Sequence, residues 1–259
     1  MERGFTLVEI AIVVLVLGLL LGSLLGPLSV RVEQQEIQKT SDQMEEIKEA
    51  LYGYAMANGA LPCPDGDGDG MADPLVATTT SPCNDFEGGL PFETIGATRG
   101  DAWGFRFLYR VTLAFTVADN RICAANDGDL DLCDNPQNLE LDDPNIRVGT
   151  RPLTSPHALA SDPASRVATA PAVVLSHGKN GFGATRVTGG SAPPPEPNTD
   201  ELTNANRNRA TFVSRHYSFT QTPCDDTDPG AAYCGFDDIV IWLSANVLKY
   251  RLVQAGRLP

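Results

Sequence analysis

From Phe5 to Val30 the chain is apolar at nearly every position, interrupted by a few small residues, Pro27 and one carboxylate, Glu9. A run of this length predicts a helix that is hydrophobic all round and exceeds the roughly 20 residues that cross a bilayer. From Arg31 onward the pattern changes. Ile37, Met44, Ile47, Leu51 and Tyr54 or Ala55 recur at helical spacings with Glu, Gln and Lys between them, which predicts an amphipathic helix. The two stretches are expected to form one helix from about Phe5 to Ala57, near 80 Å long at about 1.5 Å per residue, with Asn58-Gly59 as a left-handed stop. Pro27 is expected to kink it or free a backbone bond. Gly18, Gly22 and Gly26 share one helix face, a small-residue pattern that lets helices approach closely in lipid or is incidental to an apolar helix.

Beyond the helix the period shortens. Phe105, Phe107, Tyr109 and Val111 alternate with Arg106 and Arg110, the pattern of a half-buried strand. Leu113 to Val117 is expected to extend it or pair with it. Ala172 to Ser176, Thr211 to Thr220 and the apolar run from Ile239 to Leu243 after Asp237-Asp238 are further strand candidates, and Ser244 could cap a last helix carrying Val247, Leu248 and Leu252 before Gly256. Thr188 to Glu201, with Pro193, Pro194, Pro195 and Pro197, reads as an exposed loop. One long helix followed by several strands is an α+β pattern.

Glu9 is the misfit in the apolar segment, because an acid at the membrane centre costs about 2.5–3.5 kcal/mol. Cutting the chain after Gly4 would free a Phe5 α-amine about 6 Å along the helix axis from Glu9, which supplies the missing positive charge. The run Gly4-Phe5-Thr6-Leu7-Val8-Glu9-Ile10 closely resembles the processing site of type IV pilins and of the pseudopilins of type II secretion. The resemblance implies cleavage after Gly4 by a prepilin peptidase, methylation of Phe5, and a role for Glu9 in neutralising the terminus of a neighbouring subunit during assembly. Gly89-Leu90-Pro91, Asp101-Ala102-Trp103-Gly104 and Asp237-Asp238-Ile239-Val240 look more loosely like segments of pseudopilin heads. One basic residue, Arg3, offset by Glu2, is a weak orientation signal by the positive-inside rule.

The resemblance implies a pilin-like α+β fold: a long N-terminal helix, half transmembrane and half amphipathic, packed on an antiparallel β-sheet head with long disulfide-bonded loops. The expected divisions are a leader at 1–4, a transmembrane helix at 5–30, an amphipathic helix at 31–58 and a periplasmic or extracellular head at 59–259. The expected location is the bacterial inner membrane, single-pass with the N-terminus cytoplasmic, and after assembly a periplasmic or cell-surface filament. Expected partners are the prepilin peptidase, other pilin or pseudopilin subunits and the inner membrane.

Composition bounds the head. The formal net charge is −14, which disfavours nucleic acid as a partner because the phosphate backbone demands Lys and Arg clusters. Between Cys63 and Asp143 there are 16 Asp plus Glu against 4 Arg, either a solvated acidic region or a place for divalent cations. All of the six cysteines, Cys63, Cys83, Cys123, Cys133, Cys224 and Cys234, lie beyond the apolar segment, suggesting disulfides in an oxidising compartment. The sequence does not choose the connectivity; pairing 63–83, 123–133 and 224–234 would close three short loops.

The sharpest motif of the head is Asp65-Gly66-Asp67-Gly68-Asp69-Gly70-Met71-Ala72-Asp73. Oxygens from Asp65, Asp67 and Asp69, a turn glycine at Gly70, the Met71 carbonyl and the acid of Asp73 match the start of an EF-hand-type calcium loop. The end departs from that pattern, since Val76 stands where the bidentate Glu belongs, so calcium would need further oxygens. A plain acidic turn is the other reading. Asp127, Asp129, Asp131 and Asp134 form a weaker cluster, and Asp225, Asp226 and Asp228 a weaker one still.

Catalysis finds little footing. The three histidines, His157, His177 and His216, stand in no H-E-x-x-H arrangement, and neither a G-x-S-x-G elbow nor a phosphate-binding loop occurs. Ser176-His177-Gly178 reads as a strand end entering a turn, because triad members meet in space rather than in sequence. The expected function is that of a structural subunit, minor or specialised given the size of the head, and not an enzyme. The competing reading is a membrane-anchored, non-polymerising calcium-binding adhesin or receptor.

Overall fold

The computed structural model describes residues 7–78, 83–116, 146–150, 166–190, 199–206, 211–218, 224–225, 228 and 234–257, with 20–29, 114 and 166–169 described by their backbone. The chain divides into two units, Met1–Lys39 and Thr40–Pro259.

The first helix, α1, runs Leu7–Asn58. It carries on through Pro27 and ends at Gly59, whose φ of 80° takes the left-handed conformation expected of a stop. In the first unit its large apolar side chains face outward, with Leu7, Val8 and Ile12 exposed. In the second unit Met44, Ile47, Leu51 and Ala55 lie three and four residues apart and are fully buried, the apolar stripe that the spacing requires.

Among the described residues no helix is long and apolar enough to cross a membrane. This overturns the expected transmembrane half of the fold at 5–30 and the single-pass inner-membrane location built on it. Beyond Arg31 the helix carries acids and glutamines between its apolar positions, which a bilayer core does not accept without cost.

The head is α+β, with two sheets among the described residues. The first holds four antiparallel strands in the order β1 (Glu87–Gly89), β2 (Leu108–Val111), β5 (Ala172–Ser176) and β7 (Ile239–Trp242). The second is three-stranded, with β3 (Ile146–Gly149) central between β4 (Arg166–Ala170) and β6 (Thr211–Val213). Its β3–β6 pair is parallel, while the sheet packed on α1 is antiparallel, as expected. Short helices α2 (Phe92–Ile95), α3 (Thr199–Ala205) and α4 (Ala245–Gln254) complete the order.

Alternation along the strands divides the core. Tyr109, Val111, Ala172 and Val174 pack with Met44, Ile47, Leu51 and Tyr52 of α1 and with Leu248 and Leu252 of α4. The opposite face, Leu108, Val173, Leu175 and Val240, packs on Ile146, Val148, Ala170 and Phe212 of the second sheet. The first sheet is thus covered on both sides, which is why its central strand β5 reads as a continuous apolar run.

That covering corrects several local expectations. β2 is not half-buried: all of its residues are buried, Arg110 included. Regular pairing starts only at Leu108, while Phe105 makes an isolated bridge to Arg186. Leu113–Phe115 forms a 3-10 turn rather than a strand. Of the strand expected over Thr211 to Thr220, the described residues 211–218 pair regularly at Thr211–Val213 and make an isolated bridge at Ser218; 219 and 220 lie outside the described residues. Part of the expected Pro-rich loop is α3, with Asp200 and Glu201 buried; Pro193, Pro194, Pro195 and Pro197 lie outside the described residues. The last helix starts after Ser244, whose side chain makes no cap hydrogen bond.

Two disulfides, Cys63–Cys83 and Cys224–Cys234, are present. Cys123 and Cys133 lie outside the described residues.

Candidate functional site

Among the described residues, two acidic clusters of the head offer carboxylates close enough to hold a metal ion: Asp65, Asp67 and Asp73, and separately Glu201, Asp237 and Asp238. Within each, ligand oxygens lie within 4.8 Å of one another.

The first is built on the loop that the sequence singles out. Cys63–Cys83 ties its start, and Asp65 pairs with Gly89 at the edge of β1, exchanging N–H···O bonds of 2.9 and 2.8 Å. The side chain of Asp65 then organises the turn. Its two oxygens accept the backbone N–H of Gly68 at 2.6 Å and of Gly70 at 2.9 Å. Asp67 accepts from Asp69 at 3.0 Å, Asp69 from Met71 at 2.6 Å, and Asp73 from Gly66 at 2.8 Å. Such local side-chain-to-backbone bonds are what Asp residues do in turns, and here they draw Asp65, Asp67 and Asp73 together. Asp69 is outside that close set, and Met71 is an exposed neighbour.

Gly68 and Gly70 have φ of 87° and 94°, which a side chain adopts only with strain. Burial raises the Asp65 carboxyl above its ordinary range, while the Gly68 and Gly70 amides and Arg106 act against that shift. Arg106 donates to the Gly68 carbonyl at 2.7 Å and lies 3.9 Å from Asp65. A cavity of about 260 Å³ beside the loop is lined by Asp65, Asp67, Asp85, Glu87, Arg106 and His177 among others.

The second cluster is absent from the sequence reading. Asp237 and Asp238 stand just ahead of β7, and Glu201 in the first turn of α3; their exposures are 8 %, 4 % and 2 %. The main-chain N–H of Asp237 donates to Glu201 Oε1 at 3.0 Å, and Asn180 Nδ2 donates to Glu201 Oε2 at 2.9 Å. Asn180 N–H donates to Asp237 Oδ2 at 2.8 Å, and Asn204 Nδ2 to Asp238 Oδ2 at 2.8 Å. His177 Nδ1 lies 3.7 Å from Asp238 Oδ1. Burial, then the charges of Asp238 and Asp237, pushes Glu201 up to about 8; Asp237 is raised as well, chiefly by burial. The available signal was the acidic pair at the mouth of an apolar strand, since charges in such a place are buried only when something meets them.

Nearby, Asp101 accepts the Ser176 hydroxyl at 2.7 Å and the amides of Trp103 and Phe105 at 3.0 and 2.9 Å. This fixes Asp101-Ala102-Trp103-Gly104 as a turn braced against β5. Ser176 is therefore spent on a structural bond, in keeping with the turn reading of Ser176-His177-Gly178.

Of the other predicted positions, Glu9 is exposed in the first turn of α1. Gly4, Phe5, His157, Asp127, Asp129, Asp131, Asp134 and Asp226 lie outside the described residues. Comparison with protein-family models, with curated proteins and with solved structures finds no match to the chain.

Proposed function

We propose that this chain is a structural subunit of a type IV pilus or type II secretion filament, cleaved after Gly4 by a prepilin peptidase and assembled through its N-terminal helix. The observation that carries the reading is Gly4-Phe5-Thr6-Leu7-Val8-Glu9-Ile10 leading into exposed Leu7, Val8, Ile10, Ile12 and Val13. A helix apolar on all sides needs a cover. The same helix of other subunits provides one, with Glu9 meeting the new Phe5 amine of its neighbour. The protein works by assembly, not by turnover.

In this reading the Asp65–Asp73 loop takes calcium. Its carboxylates are hard oxygen ligands at EF-hand-like spacing, and an incomplete set suits the weak affinities, about 10⁻⁴–10⁻³ M, of extracellular calcium modules. That loop also supports the second reading, a calcium-binding adhesin or receptor that never polymerises.

The deciding experiment is the N-terminal sequence and mass of the protein from its native host, together with filament incorporation of Glu9→Leu. The expected product starts at a methylated Phe5, and the variant is left out of filaments. A product that keeps its leader, or normal incorporation of Glu9→Leu, favours the second reading.

A further inference from the structure

Filament assembly gives no role to the cavity of about 260 Å³ beside the acidic loop. Among its described wall residues stand four carboxylates, those of Asp65, Asp67, Asp85 and Glu87, against one guanidinium, that of Arg106. Arg106 is spent on the Gly68 carbonyl and Glu87 answers Arg110, whereas Asp67 and Asp85 are exposed. A cleft lined by one sign of charge focuses its field and concentrates ions of the other sign. The wall also holds His177, which is 1 % exposed and whose two ring nitrogens are buried without a hydrogen-bond partner. Nδ1 stands 3.7 Å from Asp238 Oδ1, beyond hydrogen-bond length. Gly183, another wall residue, leaves the ring edge uncovered, since a Cβ there would stand 3.5 Å from His177 Cε1. Buried polar side chains nearly always have a partner, and an imidazole held beside a cavity without one points to a guest.

We propose that this cavity binds a protonated primary amine, carried by a free alkylamine or by a lysine side chain of a partner, whose ammonium donates to His177 while its alkyl stem lies along Phe107, Leu108 and Ala184. Those three wall residues are buried and offer the apolar surface that a methylene chain covers. An ammonium has three donors and no acceptor, and a neutral imidazole has one acceptor nitrogen. Asp238 beside Nδ1 favours the proton there, which leaves Nε2 to accept. The carboxylates of the wall meet the charge of the guest, and those of Asp67 and Asp85 draw it in. The volume falls just short of the roughly 300–1,000 Å³ of drug-sized sites, which fits one short unbranched chain. A metal ion is the poorer match, because Asp73, the third acid of the loop's close set, is not among the described wall residues. The site stands whether or not the chain polymerises and whether or not the loop takes calcium.

The test titrates the full chain in EDTA, so that calcium does not enter, with n-butylammonium chloride and with a capped Gly-Lys-Gly peptide; n-butanol and KCl control for the stem and for the charge. Calorimetry should show saturable binding of at least one of the two amines and of neither control, and the tighter of the two tells a free amine from a lysine side chain. In the unmutated chain carrying isotope-labelled histidine, the His177 ring resonances should move along the same titration, a readout independent of whether any variant folds. His177→Phe should weaken binding about 10-fold, the size of one hydrogen bond to a charged group. Asp85→Asn should weaken it by more than Asp69→Asn, which removes an equal charge from the loop outside the described wall. No saturable binding of either amine, KCl bound as tightly, His177 resonances that stay still, or Asp69→Asn as harmful as Asp85→Asn would overturn the site.

Discussion

Arg110 Nη1 lies 2.9 Å from Glu87 Oε2, with 3 % and 5 % of the two side chains exposed. The pair faces across the β1–β2 register, Glu87 opposite Arg110, and the guanidinium also lies 4.4 Å from the Phe86 ring centroid. Removing one partner strands the other charge in the core. Glu87→Ala is expected to destabilise the head by about 3–5 kcal/mol in chemical denaturation, against about 0–1 for a solvated pair. A loss in the lower range would mean that solvent reaches the pair.

Gly70 fixes the acidic loop against the core. A Cβ there would stand 2.4 Å from Phe92 Cζ, at a φ of 94°. Gly70→Ala combines left-handed strain with overpacking and should cost about 2–4 kcal/mol. It should also weaken calcium binding in titration of the full chain, because the amide of Gly70 orients Asp65. Unchanged stability and unchanged calcium response would detach the loop from the core.

The disulfide Cys63–Cys83 spans 20 residues and encloses the whole loop. Replacing both cysteines by serine is expected to lower stability by about 2–4 kcal/mol, read by denaturant midpoint. The calcium response should weaken in the same protein, since the carboxylates would then have to be ordered on binding.

Glu201 sets the pH dependence of the metal-stripped chain. Its folded value of about 8 stands above the 4.5 of the free side chain, so the folded form binds the proton more tightly than the unfolded one. The stabilising contribution is complete below about pH 4.5 and is lost as pH rises through about 8; Asp237 and Asp65 shift in the same direction. The melting temperature should fall between pH 5 and pH 8.5, and Glu201→Gln should flatten that fall. A rise over the same interval would contradict the burial of an acid here.

The helix at 31–58 and its stop at Gly59 are legible because they depend on local periodicity and on one backbone conformation. The same holds for Ala172–Ser176 and for the turn around Asp65, where neighbours in sequence bond to one another. Arg110 misleads: alternation assigns it to solvent, whereas Glu87 and the Phe86 ring meet it inside the fold. The buried acids fail for a related reason. Glu201 and Asp237 are 36 residues apart, and the acidic pair ahead of β7 does not by itself say which residue meets it once the fold closes. At the apolar start the expectation of a span is not met: among the described residues no helix is long and apolar enough to cross a membrane.

The last helix closes over the first. Leu248 and Leu252 share the cluster of Leu51 and Tyr52, Arg251 reaches Glu49 at 2.9 Å, the Tyr52 hydroxyl receives the Ser244 amide, and Arg257 donates to the carbonyls of Met56 and Ala57 at the end of α1. During vectorial synthesis the amphipathic stretch therefore emerges about two hundred residues before its lid, a delay of order ten seconds or more at typical elongation rates. Until then that greasy stripe is a natural customer for chaperones.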